Sequence, residues 1–593
     1  MGTRAIVASA RMHCPGWRPG TAVGGAAIPA RRAVTVHRPR LSPFAPRKQR
    51  FFRGAKGDNL RHIPCTPTAT RERLRRVGLL PHPLYLVALA LLCLTGCTSF
   101  DEYVHNGFKV GPNYGPPQAP VAQHWIDAGD VRVRSEEADD SHWWTVFNDP
   151  LLNCLVQTAY HQNLTLREAG FRVLQARAER CIAVGGLFPQ SQVTNGDCGR
   201  HGVSENVANR AATPQRWFGQ WDYGFGLAWE LDFWGRFRRA VEAADAQLDA
   251  SIENYDDVLV ILVSDVASEY VEIRMLQEKL AYARKMVGLQ RESLAIATAK
   301  FKGGQVSKVD VNQSQSDVAT TEALIQELEI SQRKATDQLC ILLGRPAEDL
   351  MAMLGEGPIP TAPPEVAVGI PAQLICRRPD IRRAERLAAA QCAKIGIAEA
   401  DLYPQISIDA SFGWSAQYLT DLFSQNSFRG TLGPAFQWSI LNYGRILNNV
   451  RAQDARFQQQ VANYQQTVLK AGAEVEDGLV TFLRAKLRER DLAVAVRTET
   501  EAFDEVLGQY QGGMIDYNRV ALIQERLVER QQTLAEAQAE VVQGLVQVFR
   551  ALGGGWQIRC APGTIVPAET PPLPPQQPLP METVPTPTPV HDT

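Results

Sequence analysis

The chain has 593 residues, with 62 Lys and Arg against 63 Asp and Glu, so its formal net charge is −1 and makes no whole-chain case for a nucleic-acid partner. No uninterrupted apolar run reaches the roughly 18–20 residues of a spanning helix, which excludes a polytopic helical membrane protein but leaves short, alternating β-barrel strands open. At roughly 100–200 residues per domain the length fits three to five compact domains, a prior that a rod or an array breaks.

The chain opens on a basic extension, 1–70. Residues 31–76 carry fourteen Lys and Arg against only Asp58 and Glu72, and are rich in Pro and Gly, which predicts disorder. Arg71–Arg76 and the apolar run Leu84–Leu94 then read as the charged and hydrophobic regions of a signal peptide over 71–96. The run ends in Leu94-Thr95-Gly96-Cys97, which resembles a bacterial lipobox. There the thiol is diacylglycerylated, the chain is cut before it, and the new amine is acylated; each buried CH₂ adds about 0.8 kcal/mol of anchoring. The plain alternative is a secretory signal with a chance Cys. A signal starting at residue 1 is far too long, so the reading places the true start downstream and residues 1–70 outside the mature protein. Thr98, where Asp is absent, favours the outer membrane by resemblance to lipoprotein sorting rules.

Of eleven Cys, Cys14, Cys65 and Cys93 precede the cleavage site and Cys97 takes lipid. The remaining seven sit mostly singly in helix-like stretches, so no disulfide framework is expected and only a Cys181–Cys198 bridge stays open. The ten His show no ligand spacing, and GxxxxGK, HExxH and GxSxG motifs are absent, so neither an enzyme nor a metal or cofactor is expected.

After an extended segment, 97–142, an internal repeat organises the chain. Trp229-Glu-Leu-Asp-Phe-Trp-Gly235-Arg236 has its counterpart in Trp438-Ser-Ile-Leu-Asn-Tyr-Gly444-Arg445, at an offset of 209. Phe301-Lys-Gly303-Gly304 matches Tyr510-Gln-Gly512-Gly513, Val311 and Gln315 match Val520 and Gln524, and Leu343-Gly344 matches Leu552-Gly553, all at 209. Leu187-Phe-Pro-Gln190 matches Leu402-Tyr-Pro-Gln405 at 215, so six residues must differ in an intervening loop. Two copies of one unit follow, 143–350 and 377–556, joined by a linker over 351–376.

Each copy reads as helix, two strands, long helix, tight turn, helix. From Trp221 to Phe233 every odd residue is apolar, a thirteen-residue period-2 face long enough to cross a bilayer at a tilt, with aromatics at both ends. In the second copy Leu432, Pro434, Phe436, Trp438 and Ile440 repeat the parity, with Ile406, Ile408, Ala410, Phe412 and Trp414 as hairpin partner. The strand after Gln190 is polar and weak. One face of a soluble sandwich is the alternative. From Val241 to Phe301 an apolar seam at 241, 244, 248, 252, 255, 259 and onward repeats about every 3.5 residues, broken only by Gln290, which is a coiled-coil period. The helix is predicted to span roughly 100 Å, to turn at Gly303-Gly304 and to return to Gly344, and 445–553 repeats this with the turn at Gly512-Gly513.

On these residues the chain resembles a TolC-type outer-membrane factor of the lipoprotein branch, the NodT-like family, over about 97–556. Val110-Gly-Pro-Asn-Tyr114 resembles the family's start, with Asn where Asp is commoner, and Trp143-Trp144, Phe147 and Asp149-Pro150-Leu151 resemble its first-helix motif. Arg377-Arg378-Pro379-Asp380-Ile381-Arg382 with Ala384-Glu385 resembles the signature that opens the second copy. Pro379 fits a helix's first turn and Asp380 its positive end, a purely structural role. The resemblance implies a mixed α+β membrane protein: a homotrimeric outer-membrane β-barrel, four strands per protomer and twelve in all, continued by a coiled-coil helical barrel. It implies a passive exit duct for small molecules, joined through a periplasmic adaptor to an inner-membrane pump of RND type. A structural coiled-coil adaptor is the competing class, though adaptors lack paired amphipathic strands with aromatic ends; a type I protein-secretion duct is the other alternative.

The glycine turns are expected at the periplasmic tip. In the family the second-copy hairpin constricts the aperture, commonly with an Asp shortly after the turn. Here that position is Leu522, near Asp516, Asn518 and Arg519, so an apolar constriction is expected where the family has a charge ring. Asp516 and Arg519 are spaced to pair on one helix face, and Asp310 is a candidate for pairing between hairpins. Beyond Trp556 the tail, 557–593, is expected to be extended and disordered, with eleven Pro among residues 561–593.

Overall fold

The computed structural model describes residues 100–136, 140–206, 208 and 215–560. Cys97, the basic extension, the signal reading and the tail beyond Cys560 lie outside the described residues. In chain order the elements are α1 (Phe100–His105), β1 (Val133–Arg134), α2 (Pro150–Gln162), α3 (Leu164–Gly185), β2 (Ser191–Gly202), β3 (Trp217–Glu230), α4 (Arg236–Lys302) and α5 (Lys308–Leu342). They continue as β4 (Val366–Ala367), α6 (Pro379–Ala400), β5 (Gln405–Ala416), β6 (Phe428–Gln437), α7 (Arg445–Gln511) and α8 (Tyr517–Ala551).

Two helices set the length of the molecule. α4 and α7 have 67 residues each, about 100 Å at 1.5 Å per residue. α5 and α8 have 35 each, about half that reach. Arg236 recurs as Arg445 and Leu342 as Ala551, both at an offset of 209, while Leu164 of α3 recurs as Pro379 of α6 at 215. The offset therefore changes across the β-hairpins. Both glycine turns close in the same way. Gln305 N donates to Lys300 O and Met514 N to Gln509 O, each at 2.9 Å, and Gly304 and Gly513 both hold φ +73°. This left-handed cap suits Gly because it has no Cβ to clash.

The predicted seam of α4 is buried at 259, 262, 266, 270, 273, 276, 280, 283, 287, 290 and 297. Toward the sheet it shifts: Ala243, Ala246 and Ala250 are buried, whereas 241, 244, 248, 252 and 255 are only partly covered. The cause is a change of partner. α5 is too short to accompany all of α4, and α3 and α6 pack on it as well. α6 also packs on α7, and α8 on α4, so the two copies form one bundle.

The sheet runs β2-β3-β5-β6 and is antiparallel throughout. β3 stops at Glu230, three residues short of the period-2 run. Asp232 accepts from Phe237 N at 2.9 Å and Arg238 N at 3.0 Å, capping the start of α4 and turning the chain out of the sheet. The weak strand after Gln190 forms β2 in full, because β3 supplies an unbroken ladder from Ser191↔Ala228 to Gly202↔Trp217. Pro434 sits on β6, an edge strand of the protomer, where a missing N–H costs no ladder bond to β5.

The segment ahead of α2 runs along both copies as a strap. Val110 N donates to Trp234 O, Gln465 Nε2 to Gln118 O and Trp125 Nε1 to Gly369 O, each at 3.0 Å. β1 pairs in parallel with β4 in the linker. Below it Trp143, Trp144 and Phe147 are buried, Trp143 stacking on Phe549 at 5.3 Å. Asp149 caps α2 by accepting from Leu151 N and Leu152 N, so the first-helix motif is core and cap.

Candidate functional site

Alternation along β3, β5 and β6 sorts the sheet into two faces. On one, Tyr223, Phe225 and Leu227 stand opposite Trp414, Phe412 and Ala410, with Leu432 and Phe436 continuing the face on β6. Phe225 and Phe412 approach to 5.1 Å between ring centroids. Leu432 and Phe436 are 76% and 77% exposed, so the protomer itself does not cover this apolar face. Aromatics bound it at both ends: Trp217, Tyr418, Phe423 and Phe428 at the loop end, and Phe436, Trp438 and Tyr443 at the helix end. Trp229 and Trp438 donate their indole N–H to Leu187 O and Leu402 O, matching positions of the two copies.

The other face is polar and glycine-rich. Asp222, Gly224 and Gly226 oppose Ser415, Gly413 and Ser411. Arg429 on β6 reaches over β5 to Asp222 at 3.0 Å. Gly413 lets β5 lie close against β3, since a Cβ there would lie 2.3 Å from Tyr223 O.

The far end of the helices carries the expected tip. Leu522 is 37% exposed, pointing away from the buried face of α8 formed by Val520, Ile523, Gln524 and Leu527. Asp516 is the residue before the first turn of α8, in extended conformation, and makes no side-chain cap bond. Among the described residues no ion pair joins it to Arg519; only the backbone does, Arg519 N to Asp516 O at 3.2 Å. The expected i,i+3 pair is thus not formed, because Asp516 is not yet on the helix. Asp310 accepts from Ser307 Oγ at 3.4 Å, and its charge, after burial, raises the Tyr510 hydroxyl above its ordinary range.

The hairpins are instead tied by residues that the motifs did not mark. Tyr517 donates its hydroxyl to Asp317 Oδ2 at 3.0 Å. Lys300 donates to Tyr510 O and lies 4.3 Å from that ring's centroid. Gln524 Nε2 donates to Ser293 Oγ at 3.1 Å within the buried interface, beside the seam-breaking Gln290. Burial raises the Asp317 carboxyl, and Tyr517 opposes this by bonding the anion. Spacing along a single helix did not mark them, since Tyr510 and Tyr517 lie on different helices either side of the glycine turn.

The arginine-proline-aspartate signature is a clasp. Pro379 begins α6, Arg378 holds Asp380 at 2.7 Å and Glu474 at 2.7 Å, and donates to Ala551 O at 2.8 Å. It borders a cavity of about 490 Å³ lined also by Asp257, Asp477 and Arg550. Burial first, then the charge of Asp380, push Asp257 up to about 6. Cys181 and Cys198 are free thiols and exposed. Among the described residues no group of three or more His, Cys, Asp or Glu is placed to hold a metal, and no helix is long and apolar enough to cross a membrane.

An amphipathic β-sheet whose apolar face is bounded by aromatics, set on helical hairpins about 100 Å long, defines a channel component of a bacterial outer membrane. Residues 155–345 and 370–554 match the family described as outer membrane efflux protein, and the chain belongs to that family. It is similar to nodulation protein T of Rhizobium leguminosarum bv. trifolii, 30% identical over 77% of this chain and 97% of the relative. It is also similar to the pyoverdine export outer membrane protein OpmQ of Pseudomonas aeruginosa, 29% identical over 79% and 96%. The probable outer membrane lipoprotein SilC of Salmonella typhimurium is 27% identical over 79% and 97%. The solved structure of the outer-membrane channel OprN superposes with a TM-score of 0.70 at 29% identity, covering 76% of this chain and 99% of that one. The protein is the outer-membrane exit channel of an efflux system. Its family is one of channels and not of enzymes.

Proposed function

We propose that three copies close into one duct, a twelve-stranded barrel continued by a helical tunnel built from two structural repeats per chain. One observation carries this: the four-stranded sheet has two free edges, β2 and β6, with an apolar face outward and Asp222, Arg429 and glycines on the other. Lipid leaves no water to satisfy open edges, so the strands must pair with further copies. Four strands alone enclose no pore wide enough to conduct.

The duct spans the outer membrane, is anchored by lipid on Cys97, and ends in a periplasmic tip. A periplasmic adaptor and an inner-membrane pump of RND type supply energy and choose the substrate. The relatives' names, which include pyoverdine export, support small-molecule cargo. At the tip, three copies of Leu522 narrow the aperture by apolar contact, with Asp516, Arg519 and Asp310 around it and the Tyr517–Asp317 bond holding each second hairpin against the first.

Detergent-extracted protein should have about three times the protomer mass and conduct in planar bilayers. A monomer that conducts would overturn the architecture.

A further inference from the structure

The loop end of the apolar face carries two cations that a passive duct does not need. We infer that Arg200 and Arg216, gathered on Trp217, form a binding site for the phosphorylated headgroup of an outer-leaflet glycolipid; the inference rests on the proposed insertion of this sheet in the membrane.

Register places the site. On β2 the residues opposite odd positions of β3 share the apolar face: Cys198 opposite Trp221, Arg200 opposite Gly219 and Gly202 opposite Trp217. Arg200 therefore stands on the same side as Tyr223, Phe225 and Leu227, whereas Arg216 precedes the first residue of β3, outside the alternation, and is placed by its approach to the Trp217 ring. An Arg on a lipid-facing strand costs about 2–4 kcal/mol at the bilayer midplane and about 0–1 near the interface. Arg200 lies two residues from the end of β2, level with the aromatics of the loop end, which is headgroup depth.

The site is shaped as well as charged. Gly202 leaves the space that the Trp217 ring fills, since a Cβ there would come within 2.4 Å of it. The Arg200 and Arg216 guanidinium carbons lie 6.0 and 5.9 Å from the centroid of that one ring. Glu205 accepts from Arg216 at 3.0 Å and holds it in place. Among the described residues Arg200 has no hydrogen-bond or ion-pair partner. Among the described residues two guanidinium forks stand against the Glu205 carboxylate, which leaves net positive charge and N–H donors to spare. A phosphate monoester offers about two negative charges and three acceptors to fill them. Directly toward the membrane from these cations lies the apolar face, where acyl chains would rest. Phosphate above acyl chains, on one face of one sheet, is the chemistry of a phosphorylated glycolipid and not of a soluble anion. Arg429 is excluded from the site because it faces the other way, onto Asp222.

The test uses the full chain in detergent and native mass spectrometry. The probes are a bisphosphorylated glucosamine-disaccharide lipid, the same lipid without phosphates, phosphatidylglycerol and inorganic pyrophosphate. Wild type should hold the bisphosphorylated lipid at least about tenfold tighter than its phosphate-free form. Arg200→Gln and Arg216→Gln should each remove most of that preference, Arg200→Lys should keep part of it, and Arg429→Gln should keep all of it. An Arg200→Gln, Arg216→Gln double variant with the full preference overturns the site. Pyrophosphate that displaces the lipid at equal concentration, or phosphatidylglycerol that binds as tightly, overturns the glycolipid assignment. Mass and conductance are read on the same samples. A conducting trimer without the preference overturns the site alone, whereas a wild type that neither assembles nor conducts overturns the duct as well.

Discussion

Tyr517→Phe removes one oxygen from the tip and leaves the ring in its packing. The hydroxyl is the donor to Asp317 Oδ2 at 3.0 Å, and Tyr517 is only 1% exposed, so water is poorly placed to replace it while the tip is closed. A hydrogen bond to a charged acceptor is worth about 1.5–3 kcal/mol, which is roughly a 10- to 100-fold shift toward the open tip per protomer at about 1.4 kcal/mol per decade. The variant also changes the pH response. Burial already raises the Asp317 carboxyl, and Tyr517 restrains it. A carboxyl raised in the closed form binds protons better there than in the open form, so closure is favoured in acid and weakens as pH rises through the raised value. Without Tyr517 that value moves higher, so the weakening, which starts at the open-form value in both proteins, should extend to higher pH. Single-channel open probability in planar bilayers between pH 5 and 8 measures both effects. The reasoning fails if Tyr517→Phe opens no more often than wild type at any pH while Asp516→Ala or Arg519→Ala opens the pore.

Leu522→Ser should raise conductance and antibiotic entry without the pump, because a hydroxyl wets an apolar constriction; unchanged conductance would place the aperture elsewhere. Cys97→Ser should lose incorporation of radiolabelled palmitate and leave the membrane fraction or misassemble, and labelling at the wild-type level would refute the anchor. Asp257→Asn should raise thermal stability by roughly 1–3 kcal/mol at pH 7.5. The carboxyl pushed up to about 6 costs stability that is lost as pH rises from about 4 toward 6. The Asn variant should therefore match wild type near pH 4, and an equal gain at both pH values would refute the assignment.

The helical hairpins were legible in the sequence because their determinants are local and repeated. A seam at about 3.5 residues, a Gly-Gly stop and a fixed offset of 209 name both long helices, and their observed bounds, Arg236–Lys302 and Arg445–Gln511, keep that offset. The apolar parity of β3, β5 and β6 was equally readable, since alternation is written within each strand. Three features were decided only by the tertiary structure. β2 has little strand pattern of its own and exists because β3 offers it twelve pairing positions. The buried face of α4 changes where α3 and α6 replace α5, which depends on the relative lengths of packed helices. At the tip, Tyr517 meets Asp317 across 200 residues of chain, and Lys300 meets Tyr510 across 210. Spacing along one helix pointed to Asp516 and Arg519 instead, but a side-chain bond between two hairpins is set by how the helices pack and leaves no local trace in either one.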